Sequence, residues 1–460
     1  MVNKKQNSNL RAKHNAQVQK IFDNFLDKRT QIFVKVDQFH YSNLNYEMPE
    51  SAELTVLTEM MYEYDKETIL NPNQDLSIAN YRPYFASIII PIDSDKTFAF
   101  LRGLEQRWFP AMFQSGDNSF QTSILLSASP VQIHQKTIII KKDGYYYKGK
   151  EINDLIKQDY DPSQMNGCMA EDDLISAELN SKWGDNSYRY IDIYNLGHGN
   201  ADYIIGNKKR ILYDIGYPYR HFPNNLDPMF PKTMNSFGLL KPHLVIISHW
   251  DTDHYMGCAY ASDHIFNVNW IAPTLTSNND NTFTLNSFRL AAFLKSINKL
   301  KLVDRAKSGT FKAGANNLVI RMGDGKPNGN SNITTRNREG LYLELVDKNG
   351  RTSILAGDVP YNNMDSSIFK NKLNFLHVPH HCSKMNLNIL SNSINGCHAI
   401  ISTDTKQKIG SRPDVDIKHE TILKTNFNNN VHYTIGNNFI NKYKIRALRL
   451  NPNGTICQRT

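Results

Sequence analysis

The chain has 460 residues, enough for two domains that each bury a core. At 40% hydrophobic residues and a mean hydropathy of −0.51 it has the make-up of an ordinary globular protein. Its longest apolar runs fall far short of the roughly 18 residues that a membrane span needs. A formal charge of +9 favours acidic partners, nucleic acid among them. Five scattered cysteines without a C-x-x-C pair suggest neither a disulfide framework nor a thiolate zinc site. With no apolar leader at the N-terminus, a cytoplasmic protein is expected.

Lys4, Lys5, Arg11, Lys13 and Lys20 open the chain without an acid among them, which reads as a solvated tail entering a helix or as a phosphate-binding arm. Leu10, Val18, Ile21, Phe22, Phe25 and Leu26 recur at helical spacing and predict a helix over about 10–26. "QIFVKVDQF", "YFASIIIPI" and "KTIIIKKDGYYYKG" then predict strands. Tyr145, Tyr146 and Tyr147 in the last could stack on bases or pack in an edge strand. Residues 1–185 therefore read as an α+β domain with no nameable catalytic motif. The polar stretch "DPSQMNGCMAEDDLISAELNSKWGDNS" is the expected connection.

From about Tyr188 the texture changes to short buried strands that end in polar clusters: "RILYDIG", "LVIISHWDTDH", "TSILAGD", "NFLHVPHH" and "HAIISTD". In open α/β architectures ligands sit at that end of the sheet. After the second of these strands His249, Asp251, Asp253 and His254 occupy four of six positions. Imidazole mixed with carboxylate suits zinc, manganese or iron(II) and argues against an all-oxygen calcium loop. The bland alternative is a loop in which Asp253 merely caps a helix. Asp358 after Gly357, the pair His380–His381, and Asp214 beside Gly216 end further strands in the same manner.

In order, Asp-x-Gly, His-x-Asp-x-Asp-His, Gly-Asp and Pro-His-His resemble the metallo-β-lactamase superfamily, and most of all its ComEC-type branch of DNA-uptake hydrolases and related phosphodiesterases. "NLGHGNADYIIGNKKRILYDIG", "EGLYLELVDKNGRTSILAGD" and "HVPHHCSK" carry the likeness to that branch. It covers 186–460 and implies an αββα sandwich, an α/β fold preceded here by the smaller α+β domain. It implies two divalent ions, zinc or manganese with iron as a further choice. His249 and Asp251 would hold the first, Asp253, His254 and His381 the second, and Asp358 would bridge them. His380 would face the substrate, although which histidine of the pair takes the metal is open. Asp214 would orient the ligand loop. Asp253, His380, His198 and His419 would form the catalytic set, with Arg412 and Lys418 binding substrate beside Lys406 and Lys408.

Three departures stand out: Asp251 replaces a histidine, Cys382 replaces a glycine, and Asn200 replaces an acid. His264 is a weak candidate for a further ligand. The expected activity is metal-dependent hydrolysis of a phosphodiester, in nucleic acid or a nucleotide, by a water that a dinuclear centre activates. A nonphosphate ester, lactone or amide is the alternative, with a pocket in "YPYRHFPNNLDPMFP". A metal-poor binding module is the other. The expected partners are an anionic substrate and, through the first domain, another protein, with no membrane.

Overall fold

The computed structural model describes residues 2–40, 51–105, 107–115, 119–127, 131–141, 148–194, 196, 199–217, 238–277, 283–305, 309–314, 317–327, 333–347, 349–370, 372–402, 415–434, 447–451 and 455–459. The chain is mixed α/β and divides into two compact units. One comprises 1–167 and 282–299; the other comprises 168–281 and 300–460.

In the first unit β1 (Ile32–His40), β2 (Ser51–Leu57), β3 (Phe85–Pro91), β4 (Phe109–Phe113), β5 (Phe120–Ser127) and β6 (Val131–Ile140) close into an antiparallel barrel, in the order β1-β2-β3-β5-β6-β4. The short β4 closes the barrel by pairing with Ile32–Val34 of β1 and Ile138–Ile140 of β6. Val34, Leu54, Ile88 and Ile124 are fully buried. The helix Val2–Leu26 contains the periodic stretch that predicted it. The helix Leu285–Ser296 also belongs to this unit. Its ten residues Leu285 to Leu294 are all buried, so it is covered all round rather than on one stripe. Tyr145, Tyr146 and Tyr147 lie outside the described residues.

The second unit adds β7 (Tyr188–Tyr194), β8 (Asp202–Gly206), β9 (Arg210–Tyr213), β10 (Leu244–Ile246), β11 (Asn269–Pro273), β12 (Leu300–Val303), β13 (Thr310–Ala313), β14 (Leu318–Met322), β15 (Leu341–Val346), β16 (Thr352–Leu355), β17 (Leu373–His377), β18 (Gly396–Ile401), β19 (Val431–Tyr433), β20 (Ala447–Leu450) and β21 (Ile456–Arg459). One sheet runs β12-β11-β10-β9-β8-β7-β20-β21 and the other β13-β14-β15-β16-β17-β18-β19. Ile191, Ile211 and Ile246 of the first share one buried cluster with Ile320, Leu343 and Leu355 of the second, so the sheets pack face to face. On β15 Leu341, Leu343 and Leu345 point into that layer while Tyr342 joins the cluster behind, the period of two expected of a strand buried on both faces. Leu390 and Leu423, from two helices, and the capping Phe427 cover the outer face of the second sheet.

The helix Asp172–Lys182, read from sequence as part of the connection, packs Ile175 and Leu179 into the second unit's core together with Trp183. Among the described residues no helix is long and apolar enough to cross a membrane.

Candidate metal centre

β9, β10, β11 and β12 run parallel, as do β16, β17, β18 and β19. Parallel strands deliver their C-terminal ends to one edge, and the polar clusters predicted at strand ends are therefore brought together. Beyond β10 the chain turns through Ser248 and His249 into a one-turn helix, Thr252–Tyr255, that carries Asp253 and His254. Asp251 occupies the helix N-cap, but its side chain makes no capping bond. Gly216 allows the close approach on which this loop depends: a Cβ there would lie 1.8 Å from the Asp253 carbonyl oxygen. The backbone N–H of Asn200 donates to that same oxygen at 3.1 Å, so the residue that replaced an acid holds the ligand helix through its main chain.

Asp214 sits beneath the loop. Its carboxylate accepts from the Ser248 N–H at 2.7 Å, the Ser248 hydroxyl at 2.8 Å and His254 Nδ1 at 2.8 Å. The proton of His254 is thereby fixed on Nδ1 and the Nε2 lone pair faces the cluster. Ser248 Oγ, its hydrogen directed to Asp214, lies 3.0 Å from His249 Nδ1 and orients that ring in the same sense.

Four donors converge above. His254 Nε2 is 3.3 Å from Asp358 Oδ1 and 3.8 Å from Asp253 Oδ2. His381 Nε2 is 3.4 Å from Asp253 Oδ2 and 3.7 Å from Asp358 Oδ1. Donors held about 2.0–2.2 Å from a tetrahedral ion lie roughly 3.3–3.6 Å apart, which the contacts of His254 and His381 with the two carboxylates approach. Two three-residue groups meet the reach of a metal ion: His249, His254 and Asp358, and Asp253, His254 and His381. The buried atoms His254 Nε2, His249 Nε2 and Asp358 Oδ1 have no hydrogen-bond partner among the described residues, which is what metal-facing donors require.

The other side of Asp358 differs. Its Oδ2 accepts from Asn337 Nδ2 at 3.1 Å and lies 3.5 Å from His380 Nε2 and 3.8 Å from His249 Nε2. Asp251 Oδ2 is 3.3 Å from His249 Nε2, while Asp251 Oδ1 meets Arg336 Nη1 at 3.1 Å. Asp251, expected as a plain ligand of the first ion, is thus half of a buried ion pair.

The electrostatics describe an anionic pocket. For His254 burial disfavours the charged ring, but Asp358, Asp214 and Asp253 outweigh it and hold its pKa well above the usual range. Burial works against ionisation of Asp358 too, and His254 and His380 more than offset it, holding that carboxyl well below its ordinary value. Asp251 is likewise held down against burial, by Arg336 and His249. Carboxylates held this low around a buried imidazole that holds an extra proton make a place where a cation can replace that proton.

The loop that carries His380 and His381 is strained. His380, His381 and Cys382 take φ of 47°, 55° and 65°, in the left-handed region where each side chain costs about 1–2 kcal/mol. Cys382, substituted for the expected glycine, adopts the glycine-like conformation and is fully buried. His419 is fully buried on the helix Ile417–Asn426, with Nδ1 on the Ser383 carbonyl at 3.0 Å and Nε2 on the Tyr361 hydroxyl at 2.9 Å. Its two nitrogens are engaged there, so it braces the strained loop instead of facing substrate. Lys418 is exposed on the same helix. His264 Nε2 donates to the Pro242 carbonyl at 3.0 Å, outside the cluster. His198, Arg412, Lys406, Lys408 and all of "YPYRHFPNNLDPMFP" after Tyr217 lie outside the described residues.

Sequence reasoning missed Arg336 and Asn337, which follow an Asn/Gly-rich loop and carry no spacing signal. It also missed a relay under the metal floor: Asp202 Oδ2 to His377 Nδ1 at 2.8 Å and His377 Nε2 to Ser402 Oγ at 2.9 Å. All three are buried, so the relay ties β8 and β17 to the residue that follows β18, without access to substrate.

No protein-family model matches the chain, and no curated protein matches it. Among solved structures it is similar to a metallo-β-lactamase HARLDQ-motif mutant from Cronobacter sakazakii, with 9% identity over 40% of this chain and 75% of that one, at a TM-score of 0.23. A mutant of the CmlA β-hydroxylase matches with 12% identity over 90% of this chain and 76% of that one, at 0.31. The metallo-β-lactamase SMB-1 bound to 2-mercaptoethanesulfonate matches with 11% identity over 45% and 82%, at 0.24. At such scores the chemistry has to be carried by the residues themselves.

Proposed function

We propose that the chain is a metal-dependent hydrolase of phosphodiesters, in nucleic acid or nucleotides. The observation that carries this is the convergence of Asp253, His254, Asp358 and His381 from three distant segments at metal-ligand spacing. Donors of this kind suit zinc, manganese or iron(II). A divalent cation bound there supplies Lewis-acid charge and lowers the pKa of water toward neutrality.

The chain's own groups do the rest. Asp214 keeps the His254 proton on Nδ1. Asp253, about a sixth exposed at its side chain, reaches the cluster from its open side and can accept a proton from an entering water. His380 is half-buried, bonded through Nδ1 to the Ser383 hydroxyl, with Nε2 toward Asp358; it is placed to donate to a leaving oxygen. Cys382 is buried and supplies no nucleophile. The +9 charge, the exposed Lys418 and the neighbouring Lys406, Lys408 and Arg412 in sequence support an anionic substrate. Recruitment of that substrate, or of a protein partner, by the first unit belongs to the same proposal.

The test is hydrolysis of a bis-aryl phosphate, single-stranded nucleic acid and an ester and lactone panel, by protein loaded with manganese, zinc or iron. Wild type should cleave the phosphodiesters and Asp253→Ala should not. Equal inertness of both across metals and substrates would overturn the proposal; preference for the lactones would reassign the substrate.

A further inference from the structure

The two oxygens of Asp358 face unequal surroundings. Oδ1 lies 3.3 Å from His254 Nε2 and 3.7 Å from His381 Nε2, and the latter is 3.4 Å from Asp253 Oδ2. Oδ2 looks toward His249, His380 and Asn337, and beyond His249 stands Asp251 with the Arg336 guanidinium on its outer oxygen at 3.1 Å. Arg336 is 5% exposed and Asp251 is 2% exposed, so this charge pair is shielded from water. Arg336 and Asn337 are consecutive in the turn Thr335–Arg338, which Thr334 caps through the Asn337 N–H. One turn therefore delivers a full positive charge to Asp251 and an amide donor to Asp358.

A dication held by Asp251 Oδ2 would lie within a few ångströms of that guanidinium, where like charges repel strongly in a buried setting. His254 sharpens the asymmetry. It belongs to both candidate three-residue groups, yet its Nδ1 is committed to Asp214, and one remaining lone pair serves one ion.

We infer that Arg336 replaces the charge of one metal ion, so that the centre holds a single divalent cation tightly, at Asp253, His254, His381 and Asp358, and a second only weakly on the His249–Asp251 side. This rests on the metal-dependent reading above and deepens it: one of the centre's positive charges is a fixed side chain.

The experiment uses the full chain, saturated with Zn²⁺ or Mn²⁺, dialysed against metal-free buffer and measured by elemental analysis. Zn²⁺ affinities are then read by competition with a chromophoric chelator. Wild type should retain about one equivalent, with any second equivalent at least roughly tenfold weaker. Arg336→Gln should tighten the second equivalent about tenfold or more and move retention toward two, whereas Arg336→Lys should stay near one. Asp253→Ala should lose the tight equivalent. Two equally tight equivalents in wild type overturn the inference without recourse to any variant, and so does an Arg336→Gln protein that melts like wild type and still retains one. Retention of no metal by wild type sinks the metal-dependent reading itself, a result distinct from either.

Discussion

Asp214 makes its contacts from φ 56°, a conformation that costs a nonglycine residue about 1 kcal/mol or more. The cost is offset by three bonds to one carboxylate, two from Ser248 and one from His254. Through them a residue that stays behind the ligands sets the tautomer of His254 and the tilt of the loop. Asp214→Ala is therefore expected to lower metal affinity by about 10–100-fold, the usual scale for loss of a carboxylate behind a ligating histidine. Chelator competition measures it. An unchanged affinity in a folded Asp214→Ala protein would show that the His254 ring is held by packing alone.

Among the elements, the short loop and helix after β10 depend on a gap rather than on a bond. The Gly216 Cα packs so close to the Asp253 carbonyl that Gly216→Ala has to displace the ligand helix or the strand end, since both partners are main chain. We expect a loss of about 1–3 kcal/mol in stability and a larger fall in metal retention, because Asp253 and His254 ride on the displaced turn. Urea unfolding alongside elemental analysis would separate the two; a variant with wild-type metal content contradicts the expectation.

The same elements mark what could be read from sequence. His249, Asp253, His254, Asp358 and His381 were legible because each follows an apolar strand, and parallel strands gather their ends at one edge. Arg336 was not legible: an arginine after a Gly/Asn-rich loop has the look of a solvated residue, and its pairing with Asp251 is fixed by tertiary placement alone. His419 was legible as a residue near the site but not in its orientation, because a helical position does not say which way its two nitrogens are satisfied. The ten consecutive buried residues of the helix Leu285–Ser296 leave no amphipathic stripe from which its core could be read.

At the scale of the whole chain, each unit contains buried ionisable groups, and they set how the molecule responds to acid. In the first unit Asp65 accepts from Tyr84 at 3.0 Å, Tyr160 at 2.8 Å and Arg289 at 2.9 Å. Arg289 reaches it from the helix Leu285–Ser296, far along the chain, so a fully buried charge pair helps fix that helix in this unit. Close by in sequence to Asp65, Tyr64 pairs its hydroxyl with His14 Nδ1, while the Arg82 N–H donates to His14 Nε2 at 3.3 Å. An imidazole that accepts at Nε2 is neutral.

Burial, with Arg11 adding to it, lowers the His14 pKa to about 4. The folded-state value lies below the unfolded one of about 6.5, so the unfolded chain takes up the proton first as pH falls. Stability is accordingly full above about pH 6.5, declines between there and about 4, and levels off below, a loss on the order of 3 kcal/mol for this residue. His254 has the opposite sign in metal-free protein, which is why the comparison has to be made against a variant rather than read from one curve. His14→Gln should be less stable than wild type at pH 7, and the gap between them should narrow as pH drops from 6.5 to 4. Urea unfolding at each pH measures that gap; if it stays constant across the window, His14 is not held neutral by its burial and its two partners.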